Sequence, residues 1–165
     1  MSQNHPLASR RRRLVALVYE SLLLLAISLA AGMLSQMLLS RFAGTPVEFM
    51  FLLACWFGYF AWCWRRSGQT LAMKTWRLQL RAADNQLASW RAMGVRFALG
   101  VLVYLPIAPA WIYARYNPDM KWVLWASLIW AALPWLWSLV DRDKQLLHDR
   151  LAGLHIVLLP INRAD

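Results

Sequence analysis

One acid stands out in this chain. Glu20 is the only charged residue in the apolar run 14–39. Holding a charge near the centre of a hydrocarbon layer costs on the order of 3 kcal/mol on insertion scales, and somewhat less off-centre. Such a carboxylate must face other helices or a wet cavity, and be paired or protonated. Two chemistries fit it: a proton or cation site, or a buried ion pair that sets helix register. Helical side chains lean toward the N-terminus, so Glu20 points back toward the start of its run. Arg13 lies there, about 10 Å away along the axis at the helical rise, too far for easy contact. Arg96, just ahead of a later apolar run, is the better-placed cation.

His148-Asp149-Arg150 is the second group with chemical potential. A histidine beside an aspartate can relay protons near neutral pH. Equally, Asp149 can tie a helix end to nearby loops by accepting hydrogen bonds from backbone or arginine. Asp141, Arg142, Asp143 and Lys144 read as a charged, solvated helix cap. Pro106 and Pro109 remove helical hydrogen bonds to Leu102 and Leu105, either offering carbonyls to an ion or making a plain kink. Cys55 and Cys63, eight apart in one apolar run, match no zinc or redox spacing. There is no His/Cys ligand cluster, Gly-rich phosphate loop or nucleophile motif. The expectation is that the chain is not an enzyme and has no catalytic residue, metal or cofactor.

These residues need elements to position them, and composition says which. The chain has 165 residues, 60% hydrophobic and 16% charged, against roughly 25% charged in soluble domains. Four runs, 14–39, 47–64, 97–114 and 122–140, are apolar enough to cross a bilayer as helices. The first resembles a secretory signal at Ser28-Leu29-Ala30, but it is too long and carries Glu20, so a retained helix is expected. Trp62 and Trp64, Trp111 and Tyr113, and Trp122 and Trp125 fall at span ends, where headgroup-level aromatics belong. Trp130 lies deeper and is expected to pack between helices.

The net charge of +10 sits in blocks between the spans, so topology explains it without nucleic acid. With the N-terminus inside, fifteen of the eighteen Lys and Arg residues are cytoplasmic. Only Arg41, Arg115 and Lys121 remain outside. The expected location is a bacterial inner membrane, with both termini cytoplasmic. The connection between the second and third spans is long. In it, Trp76-Arg77-Leu78-Gln79-Leu80-Arg81 alternates like a strand, Asp84-Asn85 reads as a turn, and Ser89 precedes a helix. The run 155–159 is also strand-prone, predicting a small cytoplasmic sheet between 75–81 and 155–159.

With these features in view, the chain resembles the RDD family of small bacterial membrane proteins over about 12–160. The opening RRLVALVYESLLL is similar to that family's first helix, with Arg13 on its arginine and Glu20 on its first aspartate. SGQTLAMKTWRLQLRAADN (67–85) resembles the Gly-Gln-Thr loop and following strand. Arg96 falls where the family often has an arginine. LHDRLAGLHIVLLP (147–160) resembles the His-Asp-Arg motif, putting the second aspartate at Asp149. Glu20 replaces an aspartate, Ala72 a common glycine and Leu154 a usual threonine. The resemblance implies membrane residence and carries a suggestion of transport, including sodium/proton exchange in some members.

The fold expected is an all-α membrane protein: a four-helix transmembrane bundle at 13–160 with a small cytoplasmic β element. A basic tail at 1–12 precedes it, and a short tail at 161–165 follows. The function expected is a small transporter or ion-coupled exchanger for a monovalent cation or proton. Its polar cluster would be Arg13, Glu20, Arg96 and Asp149, with His148 and Arg150 secondary. Four helices enclose little space, so transport favours a homo-oligomer. The alternative is a non-transporting scaffold in the lipid bilayer that docks a partner or lipid through its cytoplasmic face.

Overall fold

The structure is a computed structural model that describes residues 7–38, 40–141 and 145–160. Expectations placed on the rest of the two tails, on Arg163, and on Arg142, Asp143 and Lys144 lie outside the described residues. Four helices are long and apolar enough to cross a membrane: Arg10–Leu38, Pro46–Ser67, Trp90–Tyr116 and Pro118–Val140. A two-stranded sheet accompanies them. The chain divides into two compact units, one within Met1–Ser89 and Ile156–Asp165, the other Trp90–His155.

In the first unit, helix α1 (Arg10–Leu38) buries Arg13, Ala16, Glu20, Ala31 and Ser35. Their spacing traces one face of a 3.6-residue helix. Leu22, Leu25, Leu29 and Met33 on its other faces are exposed, as contact with lipid requires. Helix α2 (Pro46–Ser67) starts with proline in its first position, where the missing N–H loses no helical bond. Polar ties join α1 to α2 along their length. Trp56 Nε1 donates to Ser28 Oγ at 2.9 Å. At the far end, Ser35 Oγ and the Gly44 N–H each donate to the Glu48 carboxylate at 2.7 Å. Buried polar groups in apolar surroundings must be satisfied in this way.

Beyond α2, the short helix α3 (Leu71–Thr75) leads to strand β1 (Leu78–Ala82), which pairs with β2 (Leu154–Leu158). The strand expected at 75–81 therefore begins three residues later. Thr70 caps α3, which occupies the chain up to Thr75, and Arg77 turns the chain in the left-handed region at φ 55°. The turn at Asp84-Asn85 is present, with Asn85 at φ 61°, a conformation that Asn tolerates well. Leu78 and Leu80 are fully buried. The N-terminal segment also joins this layer: Leu7 bridges Val157, and the Ala8 N–H donates to Ile156 O at 3.0 Å.

In the second unit, helix α4 (Trp90–Tyr104) starts directly after Ser89 and seven residues before the apolar run. Hydropathy marks the lipid-buried part of a helix, not its solvated turns. Helix α5 (Ile107–Tyr116) follows the break at Pro106, then α6 (Lys121–Val140) and the short α7 (Leu147–Leu151). Buried Ala110 and Ala114 on α5, and Ser127 and Ala131 on α6, are the small residues that let membrane helices approach closely.

Both carbonyls freed by the prolines are occupied. Leu102 O accepts from Trp130 Nε1 at 3.1 Å, and Leu105 O accepts from the Ala108 N–H at 3.3 Å. The pair makes a satisfied kink. Trp130 ties α6 to α4 by that bond, but at 44% exposed it is not packed between helices as expected. Trp64 departs from expectation. It is 1% exposed and stacked on Phe60. Because α2 runs on to Ser67, Trp64 sits inside the helix on its packed face, not at its end.

Candidate functional site

The first polar centre is built around Glu20, which projects from the packed face of α1 and is 8% exposed. Tyr59 of α2 donates its hydroxyl to Oε1 at 2.8 Å. Thr70 donates its hydroxyl to Oε2. Cys63, one turn beyond Tyr59 on α2, is close enough for the Glu20 charge to act on it. A buried carboxylate thus has a hydroxyl on each oxygen. A hydroxyl has one proton and two lone pairs, so the same contacts serve an ionised carboxylate, which accepts both bonds, and a protonated one, which donates one.

The loop that delivers Thr70 is fixed at each of its residues. Gly68 ends α2 in the left-handed region, at φ 68°, and its N–H donates to Trp64 O. A Cβ there would also lie 2.8 Å from Leu80 O. Both the dihedral and the close approach to β1 require glycine. Leu80 N–H donates back to Gly68 O at 2.7 Å. Gln69 Nε2 donates to Leu78 O, and Gln79 Nε2 to Ser67 O. With the loop stitched to β1 by these bonds, Thr70 is held at the N-terminus of α3. Its Oγ1 accepts from the Met73 N–H at 3.2 Å while donating to Glu20. Arg13, on the same face of α1, is buried and donates from a guanidinium nitrogen to Ile156 O at 3.4 Å.

The second polar centre lies in the other unit. Asp149, at the start of α7, is fully buried. Arg96 of α4 donates from Nε to its Oδ1 at 2.7 Å, and His148 Nε2 lies 3.5 Å from the same oxygen. The ring of Tyr104 meets His148 edge-on at 6.3 Å. Arg150 points elsewhere and pairs with Asp141 at 3.2 Å. The Asp141 side chain is only 4% exposed and also accepts from the Gln145 N–H. It is therefore a buried tie between the end of α6 and α7, not the solvated cap expected.

The structure thus joins Arg96, Asp149 and His148 in one centre and places Glu20 with two hydroxyls in another. Sequence reasoning did not name Tyr59, Thr70 or Glu48 as parts of a site. The signals were present. A tyrosine inside an apolar helix needs a partner for its O–H, and a threonine just before Leu-Ala-Met-Lys is a helix-cap pattern. Among the described residues, no group of three or more His, Cys, Asp or Glu side chains could hold a metal ion.

A family model, described as RDD family, matches residues 7–153. Comparison with curated proteins and with solved structures gives no match.

Proposed function

The chain belongs to the RDD family, and on that premise we propose that it is a small ion-coupled exchanger in which Glu20 is the titrating group. The observation that carries this reading is the Glu20 carboxylate, buried in an apolar helix with a hydroxyl on each oxygen. Such a centre accommodates loss and gain of a proton by reorienting a hydroxyl group, which a proton- or cation-exchanging group needs. The cargo is a proton or a monovalent cation. The exchanger resides in a bacterial inner membrane, with both termini in the cytoplasm, as the distribution of Lys and Arg supports. On this reading Arg13, on the same face of α1 as Glu20, shapes cytoplasmic access, while Arg96 and Asp149 form a centre of their own in the other unit. The chain is not an enzyme, and it works as a homo-oligomer because four helices enclose little space.

A second reading has its own observation. Asp149 with Arg96, and Asp141 with Arg150, anchor α7 by ion pairs, which is an arrangement for rigidity. It favours a scaffold that docks a partner or lipid through its cytoplasmic face. Proton-coupled cation flux in proteoliposomes separates the two. The exchanger predicts flux with the native chain and none with a folded Glu20→Gln chain. Equal, background flux from both chains across the common monovalent cations leaves the scaffold.

A further inference from the structure

Thr70 stands where two demands meet. Its oxygen accepts the Met73 N–H and so caps α3, while its proton goes to the Glu20 carboxylate. Thr70 is 1% exposed, so its hydroxyl is shielded from bulk solvent. While Glu20 is ionised, both bonds run in the directions the hydroxyl prefers. If Glu20 is protonated and donates to Thr70, the oxygen must take two donors at once, and its own proton needs a new acceptor in a buried place. The charge on Glu20 and the capping of α3 are therefore not independent. Behind α3, Gly68, Gln69 and Gln79 bind the loop to β1. A change at Thr70 consequently reaches the sheet through a continuous set of hydrogen bonds.

We infer that Thr70 is a positioning residue that couples the protonation of Glu20 to the fold of the loop and α3. The inference rests on the reading of Glu20 as the titrating group. Other titratable groups lie around the same carboxylate: Tyr59 of α2 by direct hydrogen bond, Cys63 of α2 within reach of the Glu20 charge, Lys74 of α3 within reach of Cys63, and Arg13 on the same face of α1. Tyr59 binds the other oxygen and caps nothing, so it serves as the internal comparison.

The test uses the purified full chain and a hydrophobic carbodiimide, which adds across a protonated carboxyl group in an apolar setting. The adduct is located by mass spectrometry, and Glu20→Gln identifies its site. Labelling is followed against pH, and amide exchange is read over residues 71–75. Thr70→Val removes a donor to the charged form, so half-labelling is expected about one pH unit higher than in the native chain. Thr70→Ser, which keeps the hydroxyl, restores the native profile. Exchange in α3 is expected to quicken several-fold in Thr70→Val.

Glu20→Gln carries the second arm and does not require the valine variant to fold. Its uncharged side chain weakens the acceptor of the Thr70 proton from a charged to a neutral group, and α3 exchange quickens while Thr70 itself is intact. Coincident labelling profiles for native and folded Thr70→Val overturn the inference alone, as does unchanged α3 exchange in Glu20→Gln. Labelling of native Glu20 that does not vary with pH removes the titrating reading and the inference together.

Discussion

Each compact unit has a buried carboxylate at its polar centre, Glu20 in one and Asp149 in the other, and the two are held by different kinds of donor. Asp149 meets the guanidinium of Arg96, a group that stays charged at any pH a protein meets. Glu20 meets the hydroxyls of Tyr59 and Thr70, which are neutral and can turn. Protonating Asp149 would leave a mostly buried cation facing a neutral acid. Protonating Glu20 asks hydroxyl groups to reorient, with the α3 cap at Thr70 as the part that must adjust. The first centre suits a group that keeps its charge and anchors a chain segment; the second suits a group that changes charge. A carboxylate buried in a membrane protein is thus read less from its burial than from the chemistry of its donors.

That contrast can be broken by mutation, and the largest effect belongs to the charged pair. Asp149→Ala leaves Arg96 without its buried partner and is expected to destabilise the protein by about 3–5 kcal/mol. Equilibrium unfolding in mixed micelles measures it. Replacing both partners by Leu at 149 and Met at 96 recovers most of the loss. If instead Asp149→Ala is tolerated as well as Glu20→Gln, the two centres do not differ in the way described.

Gly68→Ala strikes the scaffold of the hydroxyl centre. Its methyl group would meet Leu80 O at 2.8 Å in a left-handed conformation, for a loss of about 2 kcal/mol in the same unfolding assay. Glu20→Gln keeps the shape and part of the hydrogen bonding, so a stability change of about 1 kcal/mol is expected, far smaller than its effect on flux. A loss as large as that of Asp149→Ala would move Glu20 into the anchoring class. Smallest is Arg150→Ala. Arg150 is about half exposed, and removal of a pair on that side of the surface changes stability by under about 1 kcal/mol. A larger effect would show that the tie from α6 to α7 depends on it as well as on the Asp141 contact with Gln145.

The elements were legible wherever one local property sufficed. The apolar runs located all four long helices, and the alternation in 76–81 located a strand, because hydropathy and period are written in consecutive residues. The boundaries moved where a cap or turn intervened. Thr70 and Arg77 delayed β1, and polar turns carrying exposed Arg91 and the Asp149-paired Arg96 extended α4 beyond its apolar part. Trp64 was misplaced because its depth depends on where α2 ends, which is decided by Gly68 against β1.

By itself, then, the sequence determined a membrane protein of four apolar helices with a small sheet, a buried acid at Glu20 and a charged motif at Asp149. Each follows from residue type and near-neighbour spacing. Tertiary structure decided what those acids touch. Tyr59 and Thr70 lie 39 and 50 residues from Glu20, and Arg96 lies 53 from Asp149. Several arginines and hydroxyls are equally eligible on paper. A hydrogen bond exists only within a few tenths of an ångström and a narrow angle, and that geometry is set by how α1, α2 and the Gly68 loop pack in one unit, and by how α4 and α7 pack in the other.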